Sequence, residues 1–308
     1  MLVIGATGYV GRHLVAALRA SGWAEPVATA RRAAPGVAPL NATDAAMLGL
    51  AVARADAVVN AMAGGEASMI ANAYALRAAM LARPRGPVRL VHFSSMAAYG
   101  PARGVVNESH PLSGALGSYA RAKVEAETAL ASLPETAVLR PGCIYGRGSH
   151  QWSLRIERLL REGRIGDLGA AGRGCSNIVH IDDVCEAVVA VLLRPAAGGQ
   201  AYNLAMAEAP DWSRYFAGYA EALRLTPVPR IAPWRMALET RLLAPALKIG
   251  GIALGERVLP PPIPPSLARL WRQDIRLDSS KARVELGLRW RPWRAALEAE
   301  ATAASAPA

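Results

Sequence analysis

The sequence predicts an α/β fold, a doubly wound parallel sheet with a smaller C-terminal lobe. Three observations predict it. Short apolar runs alternate with segments of helical hydrophobic period through the first half of the chain. A glycine-rich turn joins the first apolar run to the first helical segment. A length of 308 residues at 52% hydrophobic and 19% charged is enough for a full core in two unequal lobes.

Leu2 to Ile4 reads as the first strand, Gly5-Ala-Thr-Gly-Tyr-Val-Gly11 as the turn, and His13 to Ala20 as the helix after it. Strands then follow at Pro26 to Ala30, Ala55 to Asn60, Val88 to Ser94 and Thr136 to Arg140. The helices between them fall at Asp44 to Ala53, Ala67 to Leu81 and Tyr119 to Ser132. Strands interleaved with helices imply right-handed crossovers and a parallel sheet. Beyond Gly142 the pattern loosens, with a helix near Ser153 to Glu162 and another opened by Asp182 and Asp183. The chain therefore divides into a first unit, 1–145, to which 175–205 crosses back, and a second lobe, 146–308. Within that lobe Ile231 to Pro265 is apolar with few charges and ends in Pro260-Pro-Pro-Ile-Pro-Pro265. The alanine-rich tail after Glu300 is expected to fray.

Composition narrows the function. No stretch reaches about 18 uninterrupted apolar residues, and the first residues lack a basic, cleavable leader, so a cytoplasmic protein without a transmembrane segment is expected. Cys143, Cys175 and Cys185 are far apart, which suits buried reduced thiols and neither a disulfide framework nor a metal site. The net charge of +11 invites a nucleic-acid reading, but lysine occurs only at Lys123, Lys248 and Lys281, and the other 32 basic residues are scattered arginines. Composition bias explains them better than a nucleic-acid face, and no nucleic-acid partner is expected.

Two groups of residues carry chemistry. Gly5, Gly8 and Gly11 sit between a strand and a helix, where missing Cβ atoms and the free N–H groups of a first helical turn suit a dinucleotide pyrophosphate; a plain tight turn is the alternative. Twenty residues on, Arg31 and Arg32 stand where an acid would grip the ribose of NAD. A guanidinium there suits the 2′-phosphate of NADP, unless the pair is merely solvated surface. Tyr119 and Lys123 are four residues apart on one helix face, so an ammonium can stabilise a phenolate for proton transfer, and Ser95 at a strand end can hold the same substrate oxygen. That spacing also arises by chance.

Taken together, these motifs resemble those of the extended short-chain dehydrogenase/reductases, the NAD-dependent epimerase/dehydratase family, almost end to end. Gly5 to Gly11 is similar to the family's T-G-x-x-G-x-x-G loop, His92 to Gly100 to its serine segment, and Tyr119-x-x-x-Lys123 to its acid/base pair. Leu139-Arg-Pro-Gly-Cys-Ile-Tyr-Gly146, Val179 to Val184 and Asp278 to Gly287 follow its later motifs. The resemblance implies a Rossmann fold, with Tyr119 exchanging a proton as hydride moves to or from a nicotinamide, Ser95 steadying the substrate oxygen and Lys123 binding the ribose. It implies cofactor contacts from Gly5, Thr7, Gly8, Tyr9, Val10, Gly11, Arg31, Arg32, Asn41, Ala61, Met62, Ala63, Tyr119, Lys123, Pro141 and Ile144. Asn41 replaces a usual aspartate near the adenine.

Nucleotide-sugar members tend to carry asparagine at the position of Cys143 and arginine at that of Ser176, so both diphosphate handles are missing unless Arg147, Arg164 or Arg173 substitutes. The chain looks closer to the 3β-hydroxysteroid dehydrogenase and dihydroflavonol reductase branch, which implies an apolar secondary alcohol or ketone as substrate and NADP, with NAD as the alternative. A nucleotide-sugar epimerase or dehydratase, and a non-catalytic NADP-binding regulator, remain as alternatives. Residues 231–265 read as a substrate wall, as a membrane-surface contact beside Arg235, Arg241 and Lys248, or as a homodimer surface. His180 reads as structural.

Overall fold

In a computed structural model, residues 1–248 and 259–305 are described, so the stretch 249–258 of the apolar segment and residues 306–308 lie outside the described residues. Seven parallel strands form the central sheet: β1 (Leu2–Ile4), β2 (Val27–Ala30), β3 (Ala38–Pro39), β4 (Ala57–Asn60), β5 (Arg89–Phe93), β7 (Thr136–Pro141) and β10 (Ala201–Leu204). Their spatial order is β10-β7-β5-β4-β1-β2-β3. β6 (Gly104–Val106) pairs with β11 (Ile275–Leu277), and β8 (Cys143–Tyr145) with β9 (Ile178–His180). Chain order reverses at β1, with β2 on one side and β4 on the other, and in open α/β sheets ligands bind outside the strands' carboxyl ends at such a switch point.

Alternation within each strand builds two cores. Val3, Val59 and Val91 face α1 (Tyr9–Ser21) and α6 (Ile181–Leu193), where they meet Leu14, Leu18, Val184 and Val188. Leu2, Ile4, Val58 and Leu90 face α2 (Ala45–Ala53), α3 (Glu66–Leu81) and α4 (Ser118–Leu130). Local signals set some of the helix ends. Asp44 caps α2 by accepting from Ala46 and Met47 N–H at 2.9 and 3.1 Å, and Gly22, at φ 71°, ends α1 in a left-handed turn. A third core is aromatic, formed by Trp212, Tyr215 and Phe216 of α7 (Trp212–Ala222) with Trp271 of α9 (Pro265–Arg272) and Tyr145 of β8.

Two expectations change. The helix expected near Ser153 to Glu162 begins as a π turn, His150–Leu154, before α5 (Arg155–Arg161). Residues 301–305 of the tail expected to fray are helical. Alanine favours α11 (Trp293–Ser305), and Glu300 pins it through a 3.0 Å contact to His180 Nε2. His180 also caps α6 by accepting from Asp182 N–H at 3.2 Å, so both ring nitrogens serve the architecture. Further elements are α8 (Pro233–Leu238) and α10 (Ser280–Leu286).

Candidate active site

A cleft of about 770 Å³ opens over the carboxyl edge of the sheet. Most of the sequence-predicted residues converge on that edge because they follow or end strands, while Tyr119 and Lys123 reach it from α4. The Gly5 to Gly11 loop follows β1, Arg31 and Arg32 follow β2, Asn41 follows β3, Ala61 to Ala63 follow β4, Ser95 follows β5, and Pro141 ends β7. Tyr9, Val10, Ala61, Met62, Ala63, Ser95, Tyr119, Lys123, Pro141 and Ile144 line the cleft itself.

The loop has the form a pyrophosphate requires. A Cβ on Gly11 would lie 2.2 Å from the Gly5 carbonyl oxygen, and Gly5 takes φ 79° with Ala61 O 2.9 Å from its would-be Cβ. Glycine at 11 lets α1 close on the end of β1, and glycine at 5 lets the loop pack on the segment after β4. Gly8, the exposed N-cap of α1, brings no side-chain cap, and the first turn holds no acid, so its N–H groups remain open to an anion. The residues present therefore fit a dinucleotide. Arg31 and Arg32 are exposed beside this loop. The Asn41 side-chain oxygen accepts from the Thr43 backbone N–H and hydroxyl at 3.2 and 2.9 Å, which leaves only its amide N–H groups to reach outward.

Tyr119 has 46% of its surface open along the cleft, yet surrounding protein removes enough water to raise its pKa, while a hydrogen bond with Ser95 pulls the other way. Ser95 also accepts from Ala97 N–H at 3.2 Å and starts a short helical turn. Lys123 is 4% exposed, its Nζ 5.7 Å from the Tyr119 ring centroid and donating to Phe93 O at 2.7 Å. Burial brings its pKa down to about 8, with Glu127 one turn further along α4 holding it up. The phenol itself stands above its ordinary value because burial outweighs the Ser95 hydrogen bond, and Lys123 is not among the groups that shift it.

The sequence reading missed what lies beneath. Glu127 receives Arg140 through contacts of 3.1, 3.1 and 2.6 Å and a short hydrogen bond from Ser94. Arg140 also donates to Tyr99 Oη and Glu108 O, both at 2.9 Å. This buried network joins the end of β5, the Tyr119 helix and the end of β7. The i, i+4, i+8 spacing of Tyr119, Lys123 and Glu127 was the available signal. The far half of the cleft was also unread: Met96, Leu116, Trp152, Leu267, Leu270 and Ile275 are its apolar side chains, and Arg155, Arg269, His150, Gln151, Ser266 and Gln273 are among its polar ones.

Cys143 is buried, and Ser176 is wholly buried with its hydroxyl donating to Pro210 O at 2.7 Å. Arg164 is committed to Glu239 and Glu162, and Arg147 and Arg173 are exposed, none of the three lining the cleft. Among the described residues no helix is long and apolar enough to cross a membrane, and no three His, Cys, Asp or Glu side chains gather as a metal site would.

The sequence profile of the NAD dependent epimerase/dehydratase family matches residues 1–205. No curated protein matches the chain. Among solved structures, the human epimerase family protein SDR39U1 with NADPH is similar at 19% identity and TM-score 0.71 over 98% of each chain. UDP-N-acetylglucosamine 4-epimerase from Bacillus cereus is similar at 17% identity and TM-score 0.73 over 99% of each chain. The Bordetella bronchiseptica enzyme WbmH in complex with NAD+ is similar at 19% identity and TM-score 0.71 over 98% of this chain and 96% of that one. Identities this low carry the fold alone. The family match covers two-thirds of the chain, and with the glycine loop and the Tyr119–Lys123 helix in place, the chain belongs to the NAD-dependent epimerase/dehydratase family.

Proposed function

We propose that the protein is an NADP-dependent oxidoreductase that moves hydride between the nicotinamide and a secondary alcohol or ketone on a mostly apolar small molecule. The observation that carries this reading is the meeting of Ser95, Tyr119 and Lys123 with the apolar half of one cleft. In this reading residues 1–145 hold the cofactor, and 146–308 supply most of the substrate wall, with Met96 and Leu116 added from the first unit.

The bound nicotinamide supplies or accepts the hydride. Tyr119 Oη gives a proton to the substrate oxygen during reduction and takes it back during oxidation. Ser95 Oγ hydrogen-bonds the same oxygen and stabilises the charge that develops there. Lys123 provides a buried positive charge next to the tyrosine and holds the ribose. Arg31, with Arg32, pairs with the 2′-phosphate. The loop 5–11 holds the pyrophosphate, and Ala61, Met62, Ala63, Pro141 and Ile144 pack along the cofactor. Cysteine at 143 in the cleft wall, Ser176 buried outside the cleft and the commitment of Arg164 support an apolar substrate over a nucleotide sugar, with Arg155 and Arg269 left as the cations of the far half.

Fluorescence titration with NADPH and NADH, repeated on Arg31→Asp, tests the cofactor assignment, and a screen of hydrophobic ketones tests the reaction. Preference for NADPH that collapses in the variant is expected. Preference for NADH, or indifference to the substitution, removes the arginine argument and brings the NAD-dependent epimerase reading forward. NADPH binding that is unaffected in Tyr119→Phe, with biological activity also intact, favours a non-catalytic regulator.

A further inference from the structure

We propose that the outward face of residues 233–248 is a docking surface for an anionic lipid bilayer, on which the protein rests without crossing it. α8 runs through a π turn, Glu239–Leu243, into a helical stretch that continues to 248. Its inward face is fixed. Met236, Glu239, Thr240 and Ala244 are buried, Thr240 Oγ1 donates to Met236 O at 2.9 Å, and Glu239 holds Arg164 through contacts of 2.5 to 3.2 Å.

That anchoring turns a stripe of large apolar side chains outward. Trp234 is 70% exposed, Leu238 41% and Leu242 65%, four residues apart in each step, with Leu243 beside them at 40%. Single exposed apolar residues are ordinary on a protein surface, but a contiguous stripe ending in a tryptophan marks a contact surface.

Charge selects the partner. The only carboxylate within 233–248 is Glu239, which is turned inward. Arg241 and Lys248 are exposed and Arg235 half-buried, so every ionic group this stretch shows to solvent is positive. Trp and Leu on one side with Arg and Lys at the flanks is the pattern of a helix lying in the plane of an anionic membrane interface. A two-fold contact with a second copy would bring the same cations against each other. The surface also adjoins the cleft: α9, which lines the cleft through Leu267 and Leu270, packs on the π turn, and Arg164 ties Glu239 to the Pro261 carbonyl at 3.0 Å. Docking stands independently of the reaction proposed above, although it would bring an apolar substrate close to the cleft.

Co-sedimentation of the full chain with vesicles of phosphatidylcholine, with and without phosphatidylglycerol, tests this, with melting temperature as the folding control. Binding to the anionic vesicles that weakens in high salt is expected. Trp234→Ser with Leu238→Ser and Leu242→Ser should abolish it, and Arg241→Gln and Lys248→Gln should lower it about fivefold per charge removed, all with an unchanged melting temperature. No vesicle binding by the wild type, or full binding by the triple variant, overturns the proposal. A dimer in gel filtration that the triple variant splits, without vesicle binding, overturns it in favour of a homodimer face.

Discussion

Replacing Glu127 by leucine isolates the buried charge beneath Tyr119 and Lys123. The carboxylate and the Arg140 guanidinium are 7% and 8% exposed and meet through three contacts. Removing one partner of such a pair costs about 3–5 kcal/mol, because the other charge stays buried without compensation. Arg140 keeps Tyr99 Oη and Glu108 O, which puts the expected loss near the lower end, about 3 kcal/mol. For a chain of this size that lowers the melting temperature by about 5 °C. The double variant Glu127→Leu with Arg140→Met should recover most of the loss, since an apolar pair of similar volume removes both desolvation costs. Urea and thermal denaturation of the two singles and the double read this directly. Single variants within about 0.5 kcal/mol of wild type, the scale of an ordinary surface substitution, would refute the reasoning.

Two further outcomes follow from the same geometry. Lys123 loses its proton near pH 8, well below the ordinary lysine value, so its buried charge opposes folding below pH 8 and that penalty fades as pH rises toward 10.5. Turnover needs the charged form, so kcat/KM should fall above about pH 8, and Glu127→Gln should move that limb to lower pH; a flat pH–rate profile across this range contradicts the role given to Lys123. Gly11→Ala places a methyl 2.2 Å from Gly5 O, so NADPH titration should show binding lost and denaturation a marked destabilisation, whereas wild-type affinity would mean the loop does not hold the cofactor.

The half of the cleft along the sheet edge was legible because its residues are local to strand ends. Each strand's apolar run located the residue that follows it, and a parallel sheet delivers all such residues to one edge. Ser95 rather than its neighbour Ser94 was readable from motif spacing, and the structure gives a physical difference: Ser94 is buried on Glu127, while Ser95 meets Tyr119. The far half was not legible, because Trp152, Leu267 and Ile275 come from three separate segments that only tertiary packing brings together. β3, two residues long, carries too little pattern to find. The Glu127–Arg140 pair escaped because each member looks like a solvated surface charge until the partner's position is known.

The most direct test of the central claim is single-turnover hydride transfer from NADPH to a hydrophobic ketone, in wild type and in Tyr119→Phe. The proton-transfer role predicts that the variant binds NADPH as wild type does while the transfer rate falls at least a hundredfold, the usual scale for losing a general acid. Transfer at the wild-type rate in Tyr119→Phe would contradict the account.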